Sequence, residues 1–80
     1  MTDEQEIQLL KLFKNKEEQW KQFRLNVYNL LFNLNHPNAK HFEKSGYFHS
    51  QSDVVKSLKN NKISYDLIKE AVEMTHEQFN

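Results

Sequence analysis

Apolar residues recur at helical spacing through the first half of this chain. Ile7, Leu9, Leu10, Leu12 and Phe13 form one cluster, and a denser one runs from Trp20 to Leu34. Phe13, Trp20, Val27 and Leu34 are each seven residues apart. Leu9, Phe23 and Leu30 form a second series, interrupted by Lys16. Apolar positions repeating every seven residues make the seam of paired helices. Between the clusters, Lys14–Gln19 is wholly polar, and Asn15 with Glu18 has the spacing of a capping box, which would stop one helix and start another. No Gly or Pro interrupts the run, so the expectation is one helix, Asp3–Asn35, bent near Asn15. At ~1.5 Å per residue it would reach about 50 Å and would need the rest of the chain, or a second copy, alongside it.

The remaining elements are read from turn and cap residues. Thr2 with Gln5 has capping-box spacing and opens the first helix, with acids in its first turn against the positive end of the helix dipole. Asn35-His36-Pro37-Asn38 is a turn, and Pro37 suits the first position of a short helix, Pro37–Lys44. Gly46, the only glycine, stands where a helix C-cap is expected. Tyr47, Phe48 and His49 form an aromatic linker into the core. Ser50 with Asp53 caps a helix to about Lys59, Asn60-Asn61-Lys62 turns the chain, and Ser64 caps a last helix from Tyr65 to about Gln78. The predicted fold is all-α: a small helical bundle with a long N-terminal helix packed by a short helix and a C-terminal helical hairpin. The predicted core is Leu9, Phe13, Trp20, Phe23, Val27, Leu30, Leu31, Leu34, Phe42, Phe48, Val54, Leu58, Leu67, Ile68, Val72 and Phe79.

Composition supports this reading and narrows it. Eighty residues suffice for a single domain, 1–80, with a thin core helped by ten aromatic residues. One Gly and one Pro argue against a sheet protein built on tight turns. The absence of Cys excludes a disulfide framework and a thiolate metal site, and fits a cytoplasmic protein. The acidic start is unlike a signal peptide, and the apolar stretch at Leu25–Leu34 is far shorter than the roughly 20 residues that span a bilayer. No membrane partner is expected.

The net charge is zero but unevenly spread. Residues 1–10 carry three acids and no base, residues 11–62 carry ten Lys/Arg against four acids, and residues 63–80 carry four acids against Lys69. Acidic ends and a basic middle either pair within the fold or present patches of opposite sign.

Three features are candidates for function. Leu25–Asn35 carries no charge in a chain that is 28% charged, and on a helix its apolar residues cover about two thirds of the circumference. The rest of the arc is Asn26, Asn29 and Asn33, which is either a solvent face or a partner or dimer interface bonded through uncharged amides. Asp66, Glu70, Glu73 and Glu77 lie at i, i+4, i+7 and i+11, an acidic stripe opposite Leu67, Ile68, Ala71 and Val72. It is either an ordinary solvated face or a surface that docks onto a basic site, such as one that holds nucleic acid. Like charges at this spacing cost a few tenths of a kcal/mol each. Ser50–Val72 has the outline of a helix-turn-helix, with Lys56, Lys59 and Lys62 as a basic patch before the would-be reading helix. That helix is the most acidic part of the chain, which opposes phosphate binding.

Catalysis and metal binding find no motif. There is no G-x-S-x-G, no Gly-rich phosphate loop, no Cys nucleophile and no HExxH, and His36, His41, His49 and His76 have no i, i+4 pairing. No cofactor is implied. The expectation is a small non-enzymatic protein-binding module, an inhibitor or adaptor that occupies a surface on a larger partner. Small inhibitors and adaptors, including those of bacterial or viral mobile elements, often have this size and composition, a link by analogy. The alternatives are a nucleic-acid-binding accessory protein using the C-terminal hairpin, and a structural homo-oligomer joined through the long helix.

Overall fold

A computed structural model describes all 80 residues, and every regular element in it is helical. The order is α1 (Asp3–Leu12), α2 (Glu17–Asn33), two short 3-10 turns (Ala39–Phe42 and Ser45–Tyr47), α3 (Gln51–Asn60) and α4 (Tyr65–Phe79). The small all-α bundle read from the sequence is therefore the fold, with α2 at its centre. α4 lies along α2, the 3-10 segment closes over another side of α2, and α3 packs on both α1 and α2.

The long N-terminal helix is two helices. α1 ends at Leu12, and Asn15 takes a left-handed conformation with φ of 63°. The amide of Lys16 donates to Phe13 O across the break at 3.0 Å. Asn reaches the left-handed region at less cost than most residues, so no glycine was needed to stop the helix. The break lets α1 fold back: the longest axis of the molecule is 30 Å, well short of a continuous rod. Phe13 turns inward at the corner, fully buried, with its ring 5.5 Å from Phe23. The seven-residue series is thus shared between two helices and does not form one seam. Its last member, Leu34, is 68% exposed.

Three of the four α-helix starts follow local chemistry closely, whereas α2 starts after Lys16 with no side-chain cap. Thr2 and Gln5 form the reciprocal capping box. Ser50 Oγ accepts from the Asp53 amide, while the Asp53 carboxylate reaches one residue further back, to the His49 amide at 2.9 Å. Ser64 Oγ accepts from the Leu67 amide.

Helix ends were less visible. α2 and α3 both finish in paired bonds that run from the two residues after the cap back into the last turn. His36 N donates to Leu31 O and Asn35 N to Phe32 O; Ile63 N donates to Leu58 O and Lys62 N to Lys59 O. This motif needs a left-handed residue, normally glycine, and the chain places Asn35 (φ 54°) and Lys62 (φ 53°) there. Gly46 caps nothing: it lies within the second 3-10 turn without a positive φ, and a Cβ added there meets no atom within 4 Å. The helix expected at Pro37–Lys44 is a 3-10 turn only, starting at Ala39 after the turn at Pro37.

The short segment is held by a charge. Arg24 of α2 is 8% exposed, and its guanidinium donates to Phe42 O at 2.8 Å and Glu43 O at 3.1 Å. Desolvation by burial pushes its pKa below the ordinary value, yet a guanidinium stays charged. Two carbonyls that the 3-10 turn leaves over thus gain a charge-assisted donor. Phe42 and Phe48, stacked at 5.9 Å, fill the core beneath the segment, while Tyr47 between them stays exposed. Of the expected core, Leu30 and Val72 are only partly buried and Leu34 and Phe79 are exposed; Ala39, Val55, Ile63 and Ala71 take their places.

The left-handed lysine gives a direct test. Lys62→Gly is expected to raise the urea midpoint, with a gain of about 1 kcal/mol, because it removes the steric cost of a side chain in that region. Gly46→Ala, at a position with no such cost, is expected to leave stability unchanged or slightly raised, by up to about 1 kcal/mol.

Candidate functional site

α4 divides its residues cleanly. Leu67, Ile68, Ala71 and Thr75 recur at i, i+1, i+4 and i+8 and are buried. Asp66, Glu70, Glu73 and Glu77 occupy the outer arc and are all exposed. The stripe runs about 16 Å along the helix at ~1.5 Å per residue. Its only ion pair is Asp66 with Lys69 at 3.6 Å, and the same ammonium lies 5.6 Å from the centre of the Tyr65 ring. Glu70, Glu73 and Glu77 have no cationic partner.

The rotation of α4 is fixed from α2. Asn26 is 1% exposed, and its amide nitrogen donates to Thr75 Oγ1 and to Gln78 Oε1, each at 2.9 Å. Thr75 Oγ1 donates in turn to Ala71 O at 2.7 Å, and Gln22 donates to Asn26 Oδ1 at 3.1 Å. Every polar atom of the Asn26 side chain is therefore used inside the molecule. Because α4 can turn only by breaking this network, its carboxylates are held outward.

The three asparagines accordingly part company. Asn26 lies between helices, while Asn29 and Asn33 are exposed on the outer side of α2. The basic trio is divided too. Lys59 pairs with Glu6 of α1 at 3.3 Å, and Lys56 and Lys62 are exposed without an ion pair. That Glu6–Lys59 contact is the only ion pair joining an acidic end to the basic middle, so the two charge signs stay largely separate on the surface.

A shallow apolar groove runs beside the stripe. Leu9 and Leu12 of α1 and Tyr65, Ile68 and Val72 of α4 line a space of about 190 Å³, with Glu73 on its rim. Gln8 and Lys69 complete its lining. A larger open depression lies between α1, Trp20 and the start of α3, lined by Lys11, Lys14, His49, Ser50 and Gln51. Gln51 there donates to Leu9 O and ties α3 to α1. No group of three or more His, Asp or Glu side chains comes within range of a common metal ion. No helix is long and apolar enough to cross a membrane. Comparison with known protein families, characterised proteins and solved structures found no match.

The sequence placed a candidate interface on the uncharged run Leu25–Asn35 but assigned it to the asparagines. Phe32 (61% exposed) lies open to solvent on the outer side of α2, with Tyr28 half-buried against it at 5.8 Å between ring centres, while Leu34 is exposed past the helix end. An apolar arc covering two thirds of a helix is wider than a small chain can bury, so part of it faces outward.

Asn26 provides the test of how the site is positioned. Asn26→Ala is expected to lower stability by about 1–3 kcal/mol in urea unfolding, since it empties a buried site and removes the amide's bonds to Thr75, Gln78 and Gln22. Asn29→Ala and Asn33→Ala are expected to stay within about 0.5 kcal/mol of wild type.

Proposed function

We propose that this chain is a small non-enzymatic protein-binding module, an inhibitor or adaptor that works by occupying a basic surface on a larger protein. The observation that carries this reading is the exposed, unneutralised row of Glu70, Glu73 and Glu77 on a helix whose rotation is locked by Asn26. Three uncompensated carboxylates on one rigid helix attract a basic partner over a distance set by screening, about 8–10 Å at physiological ionic strength. Steering of this kind raises the rate of encounter more than it deepens the bound state. The neighbouring groove supplies what charge lacks, an apolar strip along Leu12 and Val72 able to take one side chain of the partner. The action is then steric: the partner's basic surface is covered and its usual anionic ligand, such as a nucleic acid, is kept off.

A nucleic-acid role for the chain itself draws less support. It would rest on Lys56 and Lys62, with Lys59 engaged by Glu6 and the adjoining helix acidic. A cytoplasmic setting is part of the proposal and rests on the absence of cysteine.

The test is capture from a lysate of the native host. Wild-type bait is expected to retain a basic protein that is released as salt rises, and the double variant Glu70→Lys/Glu73→Lys to retain none while keeping its helical circular dichroism. Capture that persists in the folded double variant would sink the proposal. A salt-sensitive shift of generic DNA or RNA by wild type, lost in Lys56→Glu/Lys62→Glu, would favour the nucleic-acid reading in its place.

A further inference from the structure

We infer that the groove between α1 and α4 holds one apolar side chain of a cationic amphipathic helix, whose basic residues face Glu70, Glu73 and Glu77. This rests on the docking role proposed for α4 and names the kind of segment that docks. Leu9 and Ile68, both buried, floor the groove, and the half-buried Leu12, Tyr65 and Val72 form its sides. Its volume of about 190 Å³ suits a single side chain. Gln8 and Glu73 stand exposed at its edges, and Lys69, which also lines it, is turned to Asp66 and to the Tyr65 ring.

Charge selects the occupant. α1 carries Asp3, Glu4 and Glu6 against Lys11, and α4 carries four acids against Lys69. Glu4, one turn before Gln8, is exposed without an ion pair, as are Glu70, Glu73 and Glu77. The groove thus lies between two acidic helices in a chain of zero net charge, so the compensating positive charge sits elsewhere. A segment entering here meets carboxylates on both sides of an apolar slot, and the matching pattern is an apolar residue flanked by Lys or Arg. The chain's own basic helix does not offer it. α3 buries Val54, Val55 and Leu58, its only apolar residues, and has none to present beside Lys56 and Lys59.

Spacing selects the conformation. Glu70, Glu73 and Glu77 follow at i, i+3 and i+7, so the outer two are about 10.5 Å apart along the axis. A helix lying alongside repeats the same rises and sets bases at i, i+3 or i+4, and i+7 opposite them. An extended segment covers that distance in about three residues, and residues three apart point to opposite faces. It can meet the first or the last carboxylate but not both from one face. Val72 lies between Glu70 and Glu73 along α4, which places the partner's apolar residue within one turn of its bases. Burying that residue adds affinity that charge alone, screened within about 8–10 Å, does not supply.

Anisotropy titrations of the full chain use three labelled synthetic peptides of equal charge: an amphipathic helix with Lys at i, i+3 and i+7 and Leu at i+4, the same peptide with Ser in place of Leu, and a form with a central proline. At physiological ionic strength the leucine peptide is expected to bind about tenfold or more tighter than the other two. Amide shifts on binding are expected at Leu12, Val72 and Glu73. Gln8→Trp, at an exposed position, is expected to fill the groove and remove the advantage of leucine, while keeping the circular dichroism and the salt-dependent binding. Glu70→Lys/Glu73→Lys is expected to bind none of the three. Equal binding of the three peptides, a leucine advantage that survives in Gln8→Trp, or self-association of the chain through the same residues, which gives the groove to a second copy, would each overturn the inference. The docking role fails separately. It falls if the folded Glu70→Lys/Glu73→Lys variant still captures its basic partner from lysate, and it stands if that capture is lost even where the leucine peptide shows no advantage.

Discussion

Covering α2 is the constraint on which everything else in this molecule depends. Its second half is apolar over most of its circumference and uncharged, and water cannot be its neighbour on every side. The chain answers with three separate covers. α4 lies along one side, the 3-10 segment closes another with Phe42 and Phe48, and α3 reaches it from beside α1. The break at Asn15 follows from this. A rigid continuation of α2 would carry Leu9 and Phe13 away from the core, whereas the reversed α1 returns both of them to it.

Two buried polar side chains on α2 turn this apolar solution into a specific one. Arg24 holds the carbonyls that end the 3-10 turn, and Asn26 holds Thr75 and Gln78. Apolar packing alone tolerates sliding and rotation of helices at modest cost. A buried guanidinium or amide does not, because displaced partners would be left unsatisfied in a dry environment. The acidic row on α4 thus inherits its direction from α2. The outcome is a particle with two kinds of surface: charged and largely unneutralised on α4, neutral and part apolar on the outer side of α2.

Particular residues show how far the sequence could be read. Thr2, Ser50 and Ser64 announced their helices correctly, because an N-cap bond joins residues three apart and needs no tertiary partner. The acidic stripe was equally legible, since i, i+4, i+7 and i+11 fall on one face of any helix. Helix ends were harder to read. Asn15, Asn35 and Lys62 supply the left-handed turns, and none is the glycine such turns usually signal. The seven-residue series misled because Phe13 and Trp20 keep their spacing across a break that spacing cannot register. Asn26, Asn29 and Asn33 looked equivalent on the wheel, yet Asn26 is buried and bonded to α4 while the other two are exposed.

The sequence by itself determined what depends on near neighbours and on totals: an all-helical chain, where α1, α3 and α4 begin, a mostly apolar α2, and charge gathered in blocks. These are fixed by hydrogen bonds a few residues long and by the simple excess of apolar over polar groups on one helix. The tertiary structure decided which side of α2 is covered, which asparagine and which arginine are buried, and which carboxylates find no cation. Those outcomes depend on segments 18 to 52 residues apart meeting in space. Since many such meetings would hide a similar apolar area, it took the complete packing, with Arg24 and Asn26 paired, to select this one.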